Sequence, residues 1–179
     1  AEGVRGLVND CRRRLGQGNG TVDRVRLAID EWGIVRDWNA APDGPGIGAF
    51  EHYYCLGDAI AAARGMNEIL RNADVISIKT SRTEAVMDPV GYVLAVYGGN
   101  LLGNLLMVDA PKDAPIDVVA SADSTKKVVG VAMVNYSITE DLRVQLEIPG
   151  SPMRAKLAWI LKGRVVTDTN VPGETENVT

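Results

Sequence analysis

Eight residues, Val25-Arg-Leu-Ala-Ile-Asp-Glu-Trp32, constrain the fold more than any other stretch. Val25, Leu27 and Ile29 are large or β-branched, with Ala28 between them. Near-continuous apolarity over so short a run suits a strand covered on both faces, as in a parallel α/β sheet. The chain then presents Asp30, Glu31 and Trp32 where such a strand runs out. In sheets closed into (β/α)₈ barrels the carboxyl ends of the strands carry the chemistry, so Glu31 is a candidate catalytic group. The alternative is that Asp30 and Glu31 open a polar loop.

The surrounding chain reads as alternating helix and strand. Residues 2 to 15 place Val4, Leu7, Val8, Cys11 and Leu15 at helical spacing, and Gly16, Gly18 and Gly20 stop that helix. After the strand, Val35 to Phe50 is loop-like, dense in Pro and Gly, and carries Trp38. Trp38 either offers a flat apolar face to a sugar or other ring or anchors the loop to the scaffold. His52, the chain's one histidine, either makes a ligand contact from the loop or sits at the helix start with a satisfied ring. Tyr54 to Ala73 is predicted as a helix with Leu56, Ile60, Ala63, Asn67 and Leu70 on one stripe and Glu68 on its surface. Val75 to Lys79 follows as a second apolar strand. Helix, strand, long loop, helix, strand is the order of a parallel sheet with crossover helices.

Beyond Met87 small residues become frequent, and from Ile116 short strands are expected in quick succession: Ile116 to Ala122, Val128 to Ser137, Leu142 to Ile148, Arg154 to Leu161 and Arg164 to Val166. Leu142, Val144, Leu146 and Ile148 alternate with Arg143, Gln145 and Glu147 as one face of a strand would. Regular strands with turn signals predict an antiparallel β-sandwich. The tail, Thr167 to Thr179, is expected to be a strand end and an extended surface segment.

A net charge of −4 argues against a duplex nucleic-acid binder, which needs a basic face. Arg12-Arg-Arg14 reads as a solvated face or a match to a helix C-terminus. The longest apolar run, Val90 to Val108, is broken by Gly98, Gly99, Asn100, Gly103 and Asn104, so no membrane span is expected. With two cysteines and one histidine, a zinc site is not expected, nor is any cofactor. Cytoplasmic and secreted locations both stay open.

The pieces Ile29-Asp-Glu-Trp32, Leu56-Gly-Asp-Ala-Ile60, Ile69-Leu-Arg-Asn-Ala-Asp-Val-Ile76, Val131-Ala-Met-Val-Asn-Tyr-Ser137, Thr139-Glu-Asp-Leu-Arg-Val144 and Asp168-Thr-Asn170 occur in this order over nearly the whole chain. Together the set resembles the C-terminal portion of the α-L-arabinofuranosidases of glycoside hydrolase family 51. The resemblance implies the last part of a (β/α)₈ barrel, strand seven through strand eight and its helix (residues 1–92), followed by a β-sandwich (residues 93–179). It also implies that Glu31 is the nucleophile of a retaining glycosidase, with Trp32 beside it among the substrate-binding residues. Two positions depart from the family. Asp-Glu-Trp is followed by Gly33-Ile-Val35, so the family's second Trp falls on Val35, and Trp38 is the candidate replacement. The family's sugar-binding Gln after strand eight falls on Thr83.

The family's acid/base carboxylate belongs to strand four, upstream of this chain, and Glu51, Glu84 and Glu68 are not natural substitutes. The expectation is therefore a carbohydrate-active chain that needs its acid/base Glu from elsewhere. A second chain or self-association would complete the barrel, because unpaired parallel strands and apolar helix faces do not stay in water. Two other readings stay open: a same-clan glycosidase for another sugar, such as a xylosidase or glucanase, and a noncatalytic carbohydrate-binding or assembly module.

Overall fold

The structure, a computed structural model, describes residues 2–17, 28–29, 54–72, 75–76, 87–101, 103–125, 127–150 and 154–179. In chain order these contain α1 (Glu2–Gln17), β1 (Ala28–Ile29), α2 (Leu56–Asn72), β2 (Val75–Ile76), α3 (Pro89–Asn100), β3 (Asn104–Leu106), β4 (Ile116–Ala122) and β5 (Val129–Asn135). β1 and β2 pair in parallel, Ala28 opposite Val75 and Ile29 opposite Ile76. β3, β4 and β5 form an antiparallel sheet in sequence order.

α2 starts with the backbone half of a capping box, the Cys55 N–H donating to Asp58 Oδ2 at 2.9 Å. Asp58 in the first turn and Arg71 in the last match the helix dipole. Of the expected stripe Ala63 and Asn67 are buried and Leu56, Ile60 and Leu70 half-buried, and Ala59, Ala62, Met66, Glu68 and Ile69 are buried beside them. α2 contacts α1, α3 and the sheet, and its small residues allow that close approach. Arg12 of α1 donates to Asn72 O at 2.7 Å, and Arg13 and Arg14 pair with Asp10 on their own helix. Leu7 and Leu15, part of the expected apolar stripe of α1, are exposed.

α3 occupies the apolar run after Val90. Asp88 Oδ1 accepts from Gly91 N at 2.7 Å and Pro89 takes the first turn, a start suited to both residues. Gly98 and Gly99 fall in the exposed last turn. The core joins helices to sheet: Ala59, Ala63 and Met66 of α2, Val93 and Tyr97 of α3, Val119 of β4 and Val134 of β5. Inside it the Tyr97 hydroxyl donates to Asn67 Oδ1 at 2.7 Å. Burial pushes the Tyr97 phenol well above its ordinary pKa, and the Asp117 charge adds to this. Tyr97→Phe leaves Asn67 Oδ1 unpaired at a fully buried position, and we expect a loss of about 1–2 kcal/mol in denaturant unfolding.

β4 has the predicted bounds, and β5 lies within the predicted Val128 to Ser137. Between them Asp123 Oδ1 accepts from Lys127 N and Val128 N at 2.9 and 3.1 Å, and Oδ2 accepts from the Thr125 hydroxyl at 2.6 Å. These bonds hold the Asp123 carboxyl below its ordinary pKa.

Three expected strands are absent. Leu142–Ile148, 154–161 and 164–166 belong to no ladder, and Val144, Leu146, Leu157, Trp159 and Ile160 are exposed. Alternation states which face a strand would bury, but a strand exists only beside a neighbour that completes its hydrogen bonds. Among the described residues a single antiparallel sheet therefore stands where a sandwich was expected, and one parallel pair where a barrel end was expected. The tail also differs from a surface segment, because Asn170 and Val178 are fully buried. No helix among the described residues is long and apolar enough to cross a membrane.

Candidate functional site

The parallel pair defines an edge. α2 ends at Asn72, just ahead of β2, so its N-terminus lies at the side where β1 and β2 end. α3 begins after the chain leaves that same end of β2. Two connections thus depart from the carboxyl edge, residues 30–53 into α2 and residues 77–88 into α3. Such edges, flanked by helix N-termini, are where α/β sheets place their chemistry. Glu31 is the second residue after β1 in sequence. Glu31 itself, Trp32, Trp38, His52 and Thr83 lie outside the described residues.

The described part of the site is its frame. The two first N–H groups of α2 are taken by the C-terminal segment: Leu56 N donates to Asp168 O at 2.8 Å and Gly57 N to Val166 O at 2.7 Å. Thr169 Oγ1 donates to Tyr54 O at 2.6 Å. Asn170 Nδ2 donates to Met87 O at 3.2 Å, one residue ahead of the Asp88 cap of α3. Hydrogen bonds from Val165 N and Arg164 N, helped by the Arg164 charge, hold the Asp168 carboxyl below its ordinary pKa. A depressed carboxyl stabilises the fold above its unfolded pKa of about 3.9 and loses that contribution as the pH falls through the folded value. The melting-temperature advantage of the native chain over Asp168→Asn should therefore be full at pH 7 and shrink steadily below about pH 4. Burial and the neighbouring Asp58 carboxylate push the Cys55 thiol up, so it stays protonated at neutral pH and serves packing.

Glu68 corrects the sequence reading, which placed it on the helix surface. It is buried, accepting from Asn72 Nδ2 at 2.9 Å and Arg71 Nη1 at 3.2 Å. Arg71 also bonds Asp117 and Val118 O of β4, which ties the helix end to the sheet. The residues three and four positions on, Arg71 and Asn72, are the sequence signal for this cluster. Glu68 stands about 18 Å along α2 from its start, so it lies at the end of the helix away from the carboxyl edge of β1 and β2. A cleft of about 510 Å³ lies at that far end too, lined by Arg71, Asp117, Lys112, Met107 and Tyr136. The carboxyl edge and the cleft are thus separate features. Among the described residues no three His, Cys, Asp or Glu side chains come together as a metal site requires.

The chain superposes on the GH51 α-L-arabinofuranosidase from Thermotoga petrophila RKU-1 with a TM-score of 0.76 and 16% identity, over 98% of this chain and 42% of that one. It superposes on AbfB, a family 51 α-L-arabinofuranosidase from Bifidobacterium longum, with a TM-score of 0.68 and 18% identity, over the same 98% and 42%. The chain has the fold of part of these enzymes. It is a small α/β arrangement with a three-stranded antiparallel sheet, and it spans 42% of the length of each. No family model and no curated protein sequence matches the chain.

Proposed function

We propose that this chain is the nucleophile-bearing part of a retaining glycoside hydrolase that releases arabinofuranosyl units from arabinose-containing polysaccharides or oligosaccharides. The observation that carries this reading is the parallel pairing of β1 with β2, which puts the chain just after Ile29 at the carboxyl end of a parallel strand. The fold shared with part of two family 51 arabinofuranosidases supports it. In this reading residues 1–92 belong to a barrel and residues 93–179 to a sandwich, with α3 spanning the join.

Glu31 attacks the anomeric carbon while an acid carboxyl from outside this chain protonates the departing glycosidic oxygen. The glycosidic C–O bond breaks as the Glu31–carbon ester bond forms. The same outside carboxylate then takes a proton from water, whose oxygen displaces Glu31 and restores the original configuration. The two carboxyl groups need to stand roughly 5–5.5 Å apart for this. Trp32 and Trp38 offer ring faces to the sugar and aglycone, and His52 and Thr83 offer hydrogen bonds to sugar hydroxyls. The remaining barrel strands lie outside these 179 residues, and exposed Leu7, Leu15, Trp159 and Ile160 are the kind of surface they would cover.

The test is turnover of an aryl α-L-arabinofuranoside. The isolated chain should be inactive, and a mixture with a polypeptide carrying the acid/base strand should be active. Turnover by the isolated chain that disappears in Glu31→Gln would contradict the shared site.

A further inference from the structure

We propose that residues 162–179 form a clasp that positions the carboxyl edge of β1–β2, with Thr169 and Asn170 as positioning residues that touch no substrate. The proposal rests on the reading of that edge as the site. The segment is first closed on itself. Lys162 and Thr179 exchange backbone bonds at 2.8 and 3.0 Å, and Val171 and Glu174 do so at 3.1 and 2.9 Å. Asn170 lies at its centre with no exposed surface, and its side chain both accepts from Val178 N and donates to Val178 O at 2.9 Å. A buried amide with its bonds made in several directions fixes one geometry.

What this closed segment holds is specific. Thr169 grips Tyr54 O with its hydroxyl and pairs with Cys55 as a β-bridge, while Asn170 grips Met87 O. Tyr54 and Met87 are the downstream feet of the two connections that leave the carboxyl edge. One connection carries Glu31, Trp32, Trp38 and His52, and the other carries Thr83. Two adjacent residues therefore set the spacing of both feet. Gly57 permits the approach, since a Cβ there would stand 3.2 Å from Val166 O. A packing role alone would be met by the apolar contacts of Val178. Side-chain hydrogen bonds to one backbone carbonyl at each foot control relative position as well. Misplacing reacting groups by about 1 Å costs on the order of 10²-fold in rate, so such control acts on turnover.

Thr169→Val keeps the side-chain shape and removes the hydroxyl donor, while Thr169→Ser keeps the donor. Hydrogen exchange on the full chain should quicken at least tenfold in Thr169→Val at Leu56 and Gly57, and also at the α3 start around residues 87–92. Thr169→Ser should exchange as the native chain does. In the assembled enzyme Thr169→Val should lower kcat about tenfold with KM changed less than twofold, again restored by Ser. Faster exchange confined to residues 54–57, or none, would overturn the clasp. Faster exchange at both feet with kcat unchanged would overturn its positioning role. If no assembly turns over the arabinofuranoside, the glycosidase reading fails and the exchange experiment alone decides the clasp.

Discussion

Replacing Glu31 with Gln in the assembled enzyme is expected to lower kcat by about three orders of magnitude or more, with KM and melting temperature little changed. The amide has the size of the carboxylate, so packing and sugar contacts persist. It lacks the negative charge and lone-pair reactivity that form the glycosyl–enzyme bond, and loss of a nucleophile removes the transition-state interaction, not ground-state binding. In Glu31→Ala, which unlike Gln leaves a cavity, a small external anion such as azide should restore part of the rate by entering the space the carboxylate vacates. Its product should have the inverted configuration, because a single displacement replaces two. Steady-state rates with and without azide, and product stereochemistry by NMR, check this. A loss below tenfold would remove Glu31 from the role.

The largest expected effect on stability comes from Gly130→Ala. Gly130 lies in β5 where the end of α3 crosses, and a Cβ there would run into the backbone oxygen of Asn100. Neither partner is the free end of a flexible side chain, so α3 must move off the sheet. That separates Val93 and Tyr97 from Val119 and Val134, the contacts that join helices to strands. Overpacking of this kind costs about 3 kcal/mol, which for a chain of this length lowers the melting temperature by roughly 6–12 °C. Thermal unfolding followed by circular dichroism measures it, and an unchanged midpoint would mean that helix and sheet are not rigidly packed at Gly130.

The parts of the fold legible in the sequence are those where one physical pattern acts alone. β4 and β5 are largely apolar strands with a turn rich in hydrogen-bonding side chains between them. α2 has helical spacing over its whole length. α3 is apolar or glycine along almost its whole length although only Pro89, Val93 and Tyr97 are buried, so periodicity could not separate it from a glycine-broken run. Leu142 to Ile148 shows the reverse: its alternation is genuine, but no neighbouring strand pairs with it among the described residues. Glu68 looked like surface because a lone carboxylate on a helix usually is; Arg71, Asn72 and the approach of β4 bury it. The frame of the site was the least legible part. Thr169 and Asn170 act on Tyr54 and Met87 across long separations in sequence, and no local pattern announces such contacts.

In the proposed function the carboxylate just beyond β1 attacks the sugar. The most direct measurement uses an arabinofuranoside carrying fluorine at C2 and a good leaving group. The fluorine slows both formation and hydrolysis of the covalent intermediate, and the good leaving group restores its formation, so the intermediate accumulates and peptide mass spectrometry finds it. The account predicts one added fluoroarabinosyl group per active site, on Glu31. A label on any other residue, or an active assembly that acquires none, would contradict it.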